Sequence, residues 1–174
     1  RTERHYQFID SFNAAIGQGQ SLKLTPVGRT RDDVAFLQYT GGTTGVSKGA
    51  TLLNRNVVSN VAQVEAWFQP ALGNAGDTQL NFLGILPLYH IFAMVACNMV
   101  GMRYGACSLL VPNPRDIPGL VKELTTFKVN VFPCLNTLFN ALANNEEFAK
   151  LDCSGLKLTL SGGMATQRPV AERW

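Results

Sequence analysis

The sequence predicts an α/β fold, a mainly parallel sheet with helices packed on it. Three observations predict it. Short apolar runs alternate with segments of helical periodicity about ten residues long. Two Gly-rich loops, Thr40–Gly49 and Ser161–Met164, each follow directly on an apolar run, and so does Pro87-Leu88-Tyr89-His90. No repeat or low-complexity tract interrupts the alternation. Such alternation favours parallel strands joined by helical crossovers, which gather the strand-to-helix loops on one edge of the sheet, where ligands bind.

The elements follow in order. Phe8, Ile9, Phe12 and Ile16 fall at helical spacing, which predicts a helix over Tyr6 to Ile16 ended by Gly17-Gln18-Gly19. A polar connection with Pro26 and Gly28 leads to Val34-Ala35-Phe36-Leu37-Gln38-Tyr39, an apolar run suited to a buried strand. After the first Gly-rich loop, Ala50 to Leu53 reads as a brief strand. Asn54 is a candidate cap for a helix with the stripe Val57, Val61, Val64 and Phe68, and Pro70 to Asp77 is a turn-rich break. Leu80 to Leu86 is a strand, Ile91 to Arg103 a buried helix and Ser108 to Val111 a strand. Asp116 caps the next helix, with Ile117, Leu120, Val121 and Leu124 on its inner face. Val129 to Phe132 is a strand. Leu135, Leu138, Phe139 and Leu142 mark a helix, Leu156 to Leu160 a strand and Thr166 to Trp174 a last helix.

Composition narrows the function. The chain of 174 residues is 46% hydrophobic and 16% charged, apolar enough for a core and the size of one ordinary domain. Its net charge of +3, without a Lys/Arg run, does not suit a nucleic-acid partner. Cys97, Cys107, Cys134 and Cys153 form no CxxC pair, so a zinc site is not expected; Cys97 and Cys107 lie in apolar surroundings and read as buried free thiols. Phe82 to Val111 is broken by Pro87, His90, Asn98, Arg103 and Gly105, too often for a membrane span. The chain opens on Arg1 with no secretory signal and closes on Ala171-Glu172-Arg173-Trp174 within a helical pattern, so both ends read as cut points in a longer chain.

The loop Thr40-Gly41-Gly42-Thr43-Thr44-Gly45-Val46-Ser47-Lys48-Gly49 carries the chemistry. Gly41, Gly42 and Gly45 let backbone N–H groups approach an anion; Thr40, Thr43 and Thr44 add hydroxyl donors, and Lys48 adds a mobile positive charge. These groups suit the β- and γ-phosphates of a nucleotide. A Walker A loop needs Gly before the lysine and Ser or Thr after it, but Ser47 and Gly49 stand there. The dinucleotide spacing GxGxxG also fails.

With these residues the chain resembles the acyl-adenylate-forming superfamily, whose phosphate loop reads approximately [ST]-[SG]-G-[ST]-T-G-x-P-K-G. Thr40 to Gly49 matches except at Ser47, where the family usually has Pro. Leu86-Pro87-Leu88-Tyr89-His90-Ile91-Phe92 is similar to a second family loop bordering the acyl pocket, and Ser161-Gly162-Gly163-Met164 to the turn against the adenine. Asn113-Pro114-Arg115-Asp116-Ile117-Pro118-Gly119 and Leu37–Gly45 resemble bacterial long-chain fatty-acid–CoA ligases in particular.

The resemblance implies that residues 34–174 are an incomplete part of the large N-terminal AMP-binding domain, preceded by a helix and connection over residues 1–33. It implies ATP, Mg²⁺ and coenzyme A as reactants of the parent enzyme, a fatty acid as substrate, a cytoplasmic location and peripheral contact with the inner membrane. The remaining C-terminal parts of the same enzyme would be this chain's partners. Lys48 and Thr44 are the expected catalytic groups. Thr40, Gly41, Gly42, Thr43, Thr44, Gly45, Lys48, Gly162, Gly163 and Met164 would hold the nucleotide, and Tyr89 and His90 would border the acyl pocket. The magnesium and ribose ligands would fall outside the chain, so these residues alone are expected to be inactive, and the exposed edges and apolar faces of a partial sheet are expected to make them poorly soluble. His90 also reads as a hydrogen-bonded core histidine at a helix start. Trp67, Phe68, Phe92 and Met94 read as core, and Arg115 and Asp116 as serving a helix start. Two alternatives stand beside the ligase: a non-catalytic nucleotide-binding module, and a ligase for an aryl or amino acid.

Overall fold

The computed structural model describes residues 11–40, 47–73 and 78–174. It separates into two compact units, Arg1–Thr30 and Arg31–Trp174. In the first, α1 (Phe12–Gly19) starts at Ser11, whose Oγ accepts from the Ala14 N–H at 3.3 Å. The predicted residues 6–10 of this helix lie outside the described ones. Gly17 does not end the helix, which runs on to Gly19 because the Gln20 N–H still reaches the Ile16 carbonyl at 3.2 Å.

The second unit begins with an antiparallel hairpin of β1 (Val34–Thr40) and β2 (Lys48–Leu53), in which Tyr39 pairs with Gly49 and Thr40 with Lys48. This corrects the expectation of a buried strand before the first loop. Among the described residues β1 pairs with β2 alone, and Val34, Leu37 and Tyr39 are more than half exposed. Helix α2 (Asn54–Leu72) follows. Asn54 is its first helical residue rather than its cap; Asn56 reaches back instead, its Oδ1 accepting from the Leu53 N–H at 2.9 Å. Nor does Pro70 break the helix. It costs one backbone hydrogen bond in the last turn, and continuing past it buries Leu72 beside Phe68, each 3% exposed.

Four parallel strands form the sheet: β3 (Asn81–Gly84), β4 (Cys107–Leu110), β5 (Val131–Cys134) and β6 (Leu158–Ser161), in the order β4-β3-β5-β6. Between β3 and β4 the chain is helical from Ile91 to Arg103, as α3 (Ile91–Ala93), a π-helical stretch Met94–Met99 and α4 (Val100–Arg103). α5 (Ile117–Thr126) joins β4 to β5, α6 (Asn136–Ala143) lies between β5 and β6, and α7 (Arg168–Arg173) follows β6. Asp116 caps α5 as its type predicts, its Oδ1 accepting from the Gly119 N–H at 3.1 Å.

Strand side chains alternate between two cores. Phe82 and Val131 pack with Phe68, Leu72, Val95 and Val100 of the helices before β4. Leu83, Phe132 and Cys134 pack with Leu120, Val121, Phe139 and Leu142 of α5 and α6. Cys97 is buried as expected, but Cys107 is exposed, because it opens the outer strand β4. Trp67 is 85% exposed rather than core, since the inward stripe of α2 passes through its neighbour Phe68. Phe132, Phe139 and Phe148 gather around Trp174 with ring centroids 4.5–5.4 Å from it.

At the start of the sheet Asn130 holds three strands. Its Oδ1 accepts from the Asn81 N–H at 2.7 Å and its Nδ2 donates to the Gly155 carbonyl at 2.9 Å, while its own backbone carbonyl accepts from the Leu158 N–H at 3.1 Å. Asn130→Ala removes both side-chain bonds at a buried position and should cost about 2–3 kcal/mol. Denaturant unfolding checks this; a loss below about 0.5 kcal/mol would show that water replaces the amide.

Candidate active site

Four loops leave the carboxyl ends of the parallel strands on one edge. The crossover to β4 runs one way from β3 and the crossover to β6 runs the other way from β5, so the topological switch falls between β3 and β5. Their pairing is short, Phe82 with Val131. The reason lies in the sequence. The Gly162 N–H donates to the Cys134 carbonyl at 3.2 Å on the β6 side, so by alternation Pro133 faces β3, where it has no N–H to give.

A crevice of about 1070 Å³ opens where that ladder stops. Gly84, Ile85 and Cys134 line its inner end, Leu135, Thr137, Leu138 and Ala141 one wall, and Pro87, Leu88, Tyr89 and the stretch Leu110 to Arg115 the rest. Most of this surface is apolar, with Tyr89, Asn113, Arg115 and Thr137 as its polar groups. Arg115 therefore borders the crevice, whereas Asp116 serves the helix start. Thr137 and Leu138 carried no sequence signal for a site, Leu138 reading only as part of a helix's apolar stripe.

A side chain of the hairpin reaches this edge. Gln38 on β1 donates from Nε2 to the Tyr89 carbonyl at 2.9 Å. Thr40 and Lys48 lie just beyond Gln38 as the last register pair before the hairpin tip, and Lys48 is exposed there. Gly41, Gly42, Thr43, Thr44 and Gly45 lie outside the described residues. Gly49 admits the Tyr39 ring, which would stand 3.1 Å from a Cβ at that position.

His90 is exposed and caps α3, its Nδ1 accepting from the Phe92 N–H at 3.2 Å. It is hydrogen-bonded at a helix start, though not in the core, and Tyr89 rather than His90 lines the crevice. Phe92 points the loop after β3 at the second Gly-rich turn. A Cβ on Gly162 would stand 2.8 Å from Phe92 Cζ. Gly163 has φ of 77° and would bring a Cβ within 3.0 Å of Leu135 Cδ2. Met164 is half exposed on the far side of the turn. Burial pushes the Cys97 thiol up from 9.0 to about 11 and Cys134, at the inner end of the crevice, up to about 12. Both are thus neutral, unreactive surfaces at ordinary pH. Among the described residues no group of three His, Cys, Asp or Glu side chains could hold a metal, and no helix is long and apolar enough to cross a membrane.

One edge thus carries the β1–β2 hairpin that ends at Lys48, a Gly-rich turn and an apolar crevice. The family model described as AMP-binding enzyme matches residues 4–174, and the chain belongs to that family. It is 47% identical over 164 residues to the long-chain-fatty-acid–CoA ligase of Yersinia pestis, covering 94% of this chain and 29% of that protein. It is 48% identical over 145 residues to the ligase of the same name from Haemophilus influenzae, covering 83% of this chain and 26% of that one. The chain thus spans less than a third of the relatives it matches. The fold is shared with a fatty acyl-adenylate ligase from L. pneumophila solved with acyl adenylate and pyrophosphate, at a TM-score of 0.71 and 21% identity over 86% of this chain and 26% of the other.

Two measurements test the site's packing. Gly163→Ala should lose about 1–2 kcal/mol, and Leu135→Ala should not restore it, because the backbone strain remains. The loss in Gly162→Ala should be largely relieved by Phe92→Leu; equal losses in both backgrounds would show that the ring is not the obstacle. For the thiols, folded values above the unfolded 9.0 mean that stability is whole below about pH 8.5 and falls as pH rises through the folded values. The denaturant midpoint should drop from pH 8.5 to 10.5, and less so in Cys97→Ala.

Proposed function

We propose that these residues are the central part of the nucleotide-binding domain of an ATP-dependent long-chain fatty-acid–CoA ligase. What supports the reading most is the Gln38–Tyr89 bond, which brings the phosphate-type hairpin to the edge that carries the Gly-rich turn and the crevice. The names of the relatives, at 47–48% identity, support the acyl class.

In this reading a fatty-acid carboxylate attacks the α-phosphate of ATP and pyrophosphate departs. The thiol of coenzyme A then displaces AMP from the acyl-adenylate. Lys48 and the hydroxyls of Thr40, Thr43 and Thr44 take up the growing charge on the pyrophosphate, together with the loop N–H groups. The second turn, through Gly162, Gly163 and Met164, faces the adenine, its glycines allowing close approach. Tyr89 borders the acyl side, and the apolar crevice offers an extended, uncharged part of a substrate a place out of water. Magnesium, held largely by residues outside this chain, would neutralise the phosphates when bound. The whole enzyme would work in the cytoplasm, where ATP and coenzyme A are available. Contact with the inner membrane surface would supply the fatty acid.

The test is fatty-acid-dependent ATP–pyrophosphate exchange by the product of the complete gene. A long-chain acid should support exchange, and Lys48→Ala should lower kcat/KM about 10²-fold with an unchanged Tm. Exchange with aryl or amino acids and not with fatty acids would reject the assignment of substrate. No exchange with any acid would reject the enzyme.

A further inference from the structure

We propose that Asn136 is a positioning residue for the Gly-rich turn after β6, and through that turn for the nucleotide. The inference rests on the reading above that this turn meets the nucleotide.

One corner of the sheet holds the turn at both ends. At its start the Gly162 N–H donates to the Cys134 carbonyl at 3.2 Å. At its end the Gln167 N–H donates to Asn136 Oδ1 at 2.9 Å. Cys134 ends β5 and Asn136 begins α6, with Leu135 alone between them. Leu135 fills the space beside Gly163, the residue of the turn with a left-handed backbone. Within the turn Thr166 Oγ1 donates to Ser161 Oγ at 2.6 Å. The three consecutive residues of the corner thus match the start, middle and end of the turn.

Asn136 is 4% exposed, so little water can take its place as acceptor. Gln167 is the N-cap of α7 and makes no side-chain cap bond of its own. A Leu at 136 keeps the branched outline, with somewhat more volume, and removes the oxygen. The Gln167 N–H then has to turn outward to water, and the turn keeps one anchor of two. An Asp at 136 carries an acceptor at the same place.

The test compares the wild-type product of the complete gene with Asn136→Leu and Asn136→Asp. Asn136→Leu should raise KM for ATP about tenfold, the worth of one well-placed hydrogen bond. KM for the fatty acid should stay within about twofold, and Asn136→Asp should bring KM for ATP back to within about threefold of wild type. Amide hydrogen exchange at Gln167 should quicken in the Leu variant alone. An unchanged KM for ATP would overturn the proposal. So would equal rises in both KM values with a lowered Tm and no rescue by Asp, which would make Asn136 a packing residue. A wild type without fatty-acid-dependent exchange would overturn the functional reading itself. If it also failed to bind ATP, the proposal would fall with it, even with the Gln167 amide exchanging as expected. ATP binding without exchange would reject the ligase reading alone, and the dissociation constant for ATP would then decide the role of Asn136.

Discussion

The two halves of the parallel sheet meet at one narrow seam, the pairing of Phe82 on β3 with Val131 on β5. Everything else in the larger unit is arranged around it. One core lies on each face, because residues adjacent along a strand point to opposite sides: Phe82 and Val131 go to one, Leu83 and Phe132 to the other. A seam this short would be a weak join on backbone bonds alone. The Asn130 side chain reinforces it by bonding to β3 on one side and to the Gly155 carbonyl before β6 on the other. A buried amide with both ends satisfied also sets which strands are neighbours, since a shift of one residue would strand its donor and acceptor.

The shortness of the seam also makes the site. Pro133 has no N–H to extend the ladder, so the crevice opens beyond it, between the loop after β3 and the corner after β5. The same corner templates the Gly-rich turn after β6 through Cys134 and Asn136. Gln38 then draws the hairpin to the loop after β3. Stability and function therefore share parts: the place where the sheet is least continuous is the place where its loops can surround a ligand.

Much of this was legible in the chain. Helix periodicity located α5 and α6, and Asp116 was readable as a cap because a short acceptor side chain before an apolar stripe has few other uses. Other elements were misread where a local rule lost to packing. Pro70 looked like a break, yet the helix runs on to bury Leu72. Asn54 looked like a cap, yet Asn56 supplies the oxygen. Trp67 and Cys107 looked buried by residue type, but a helix has one inward stripe and β4 is an outer strand. The Val34 run suited a buried strand, and it is instead half of an exposed hairpin with β2, its neighbour in sequence.

The sequence by itself determined the α/β class and the order of most elements, since these depend on periodicity and on residue types a few positions apart. Only the tertiary structure decided which loops come together. The Gln38–Tyr89 bond spans 51 residues and the Asn136–Gln167 bond 31. The crevice exists because a proline in one strand faces another strand nearly fifty residues earlier. Such relations are set by which strands lie side by side, and that follows from burying two apolar faces at once rather than from any local pattern.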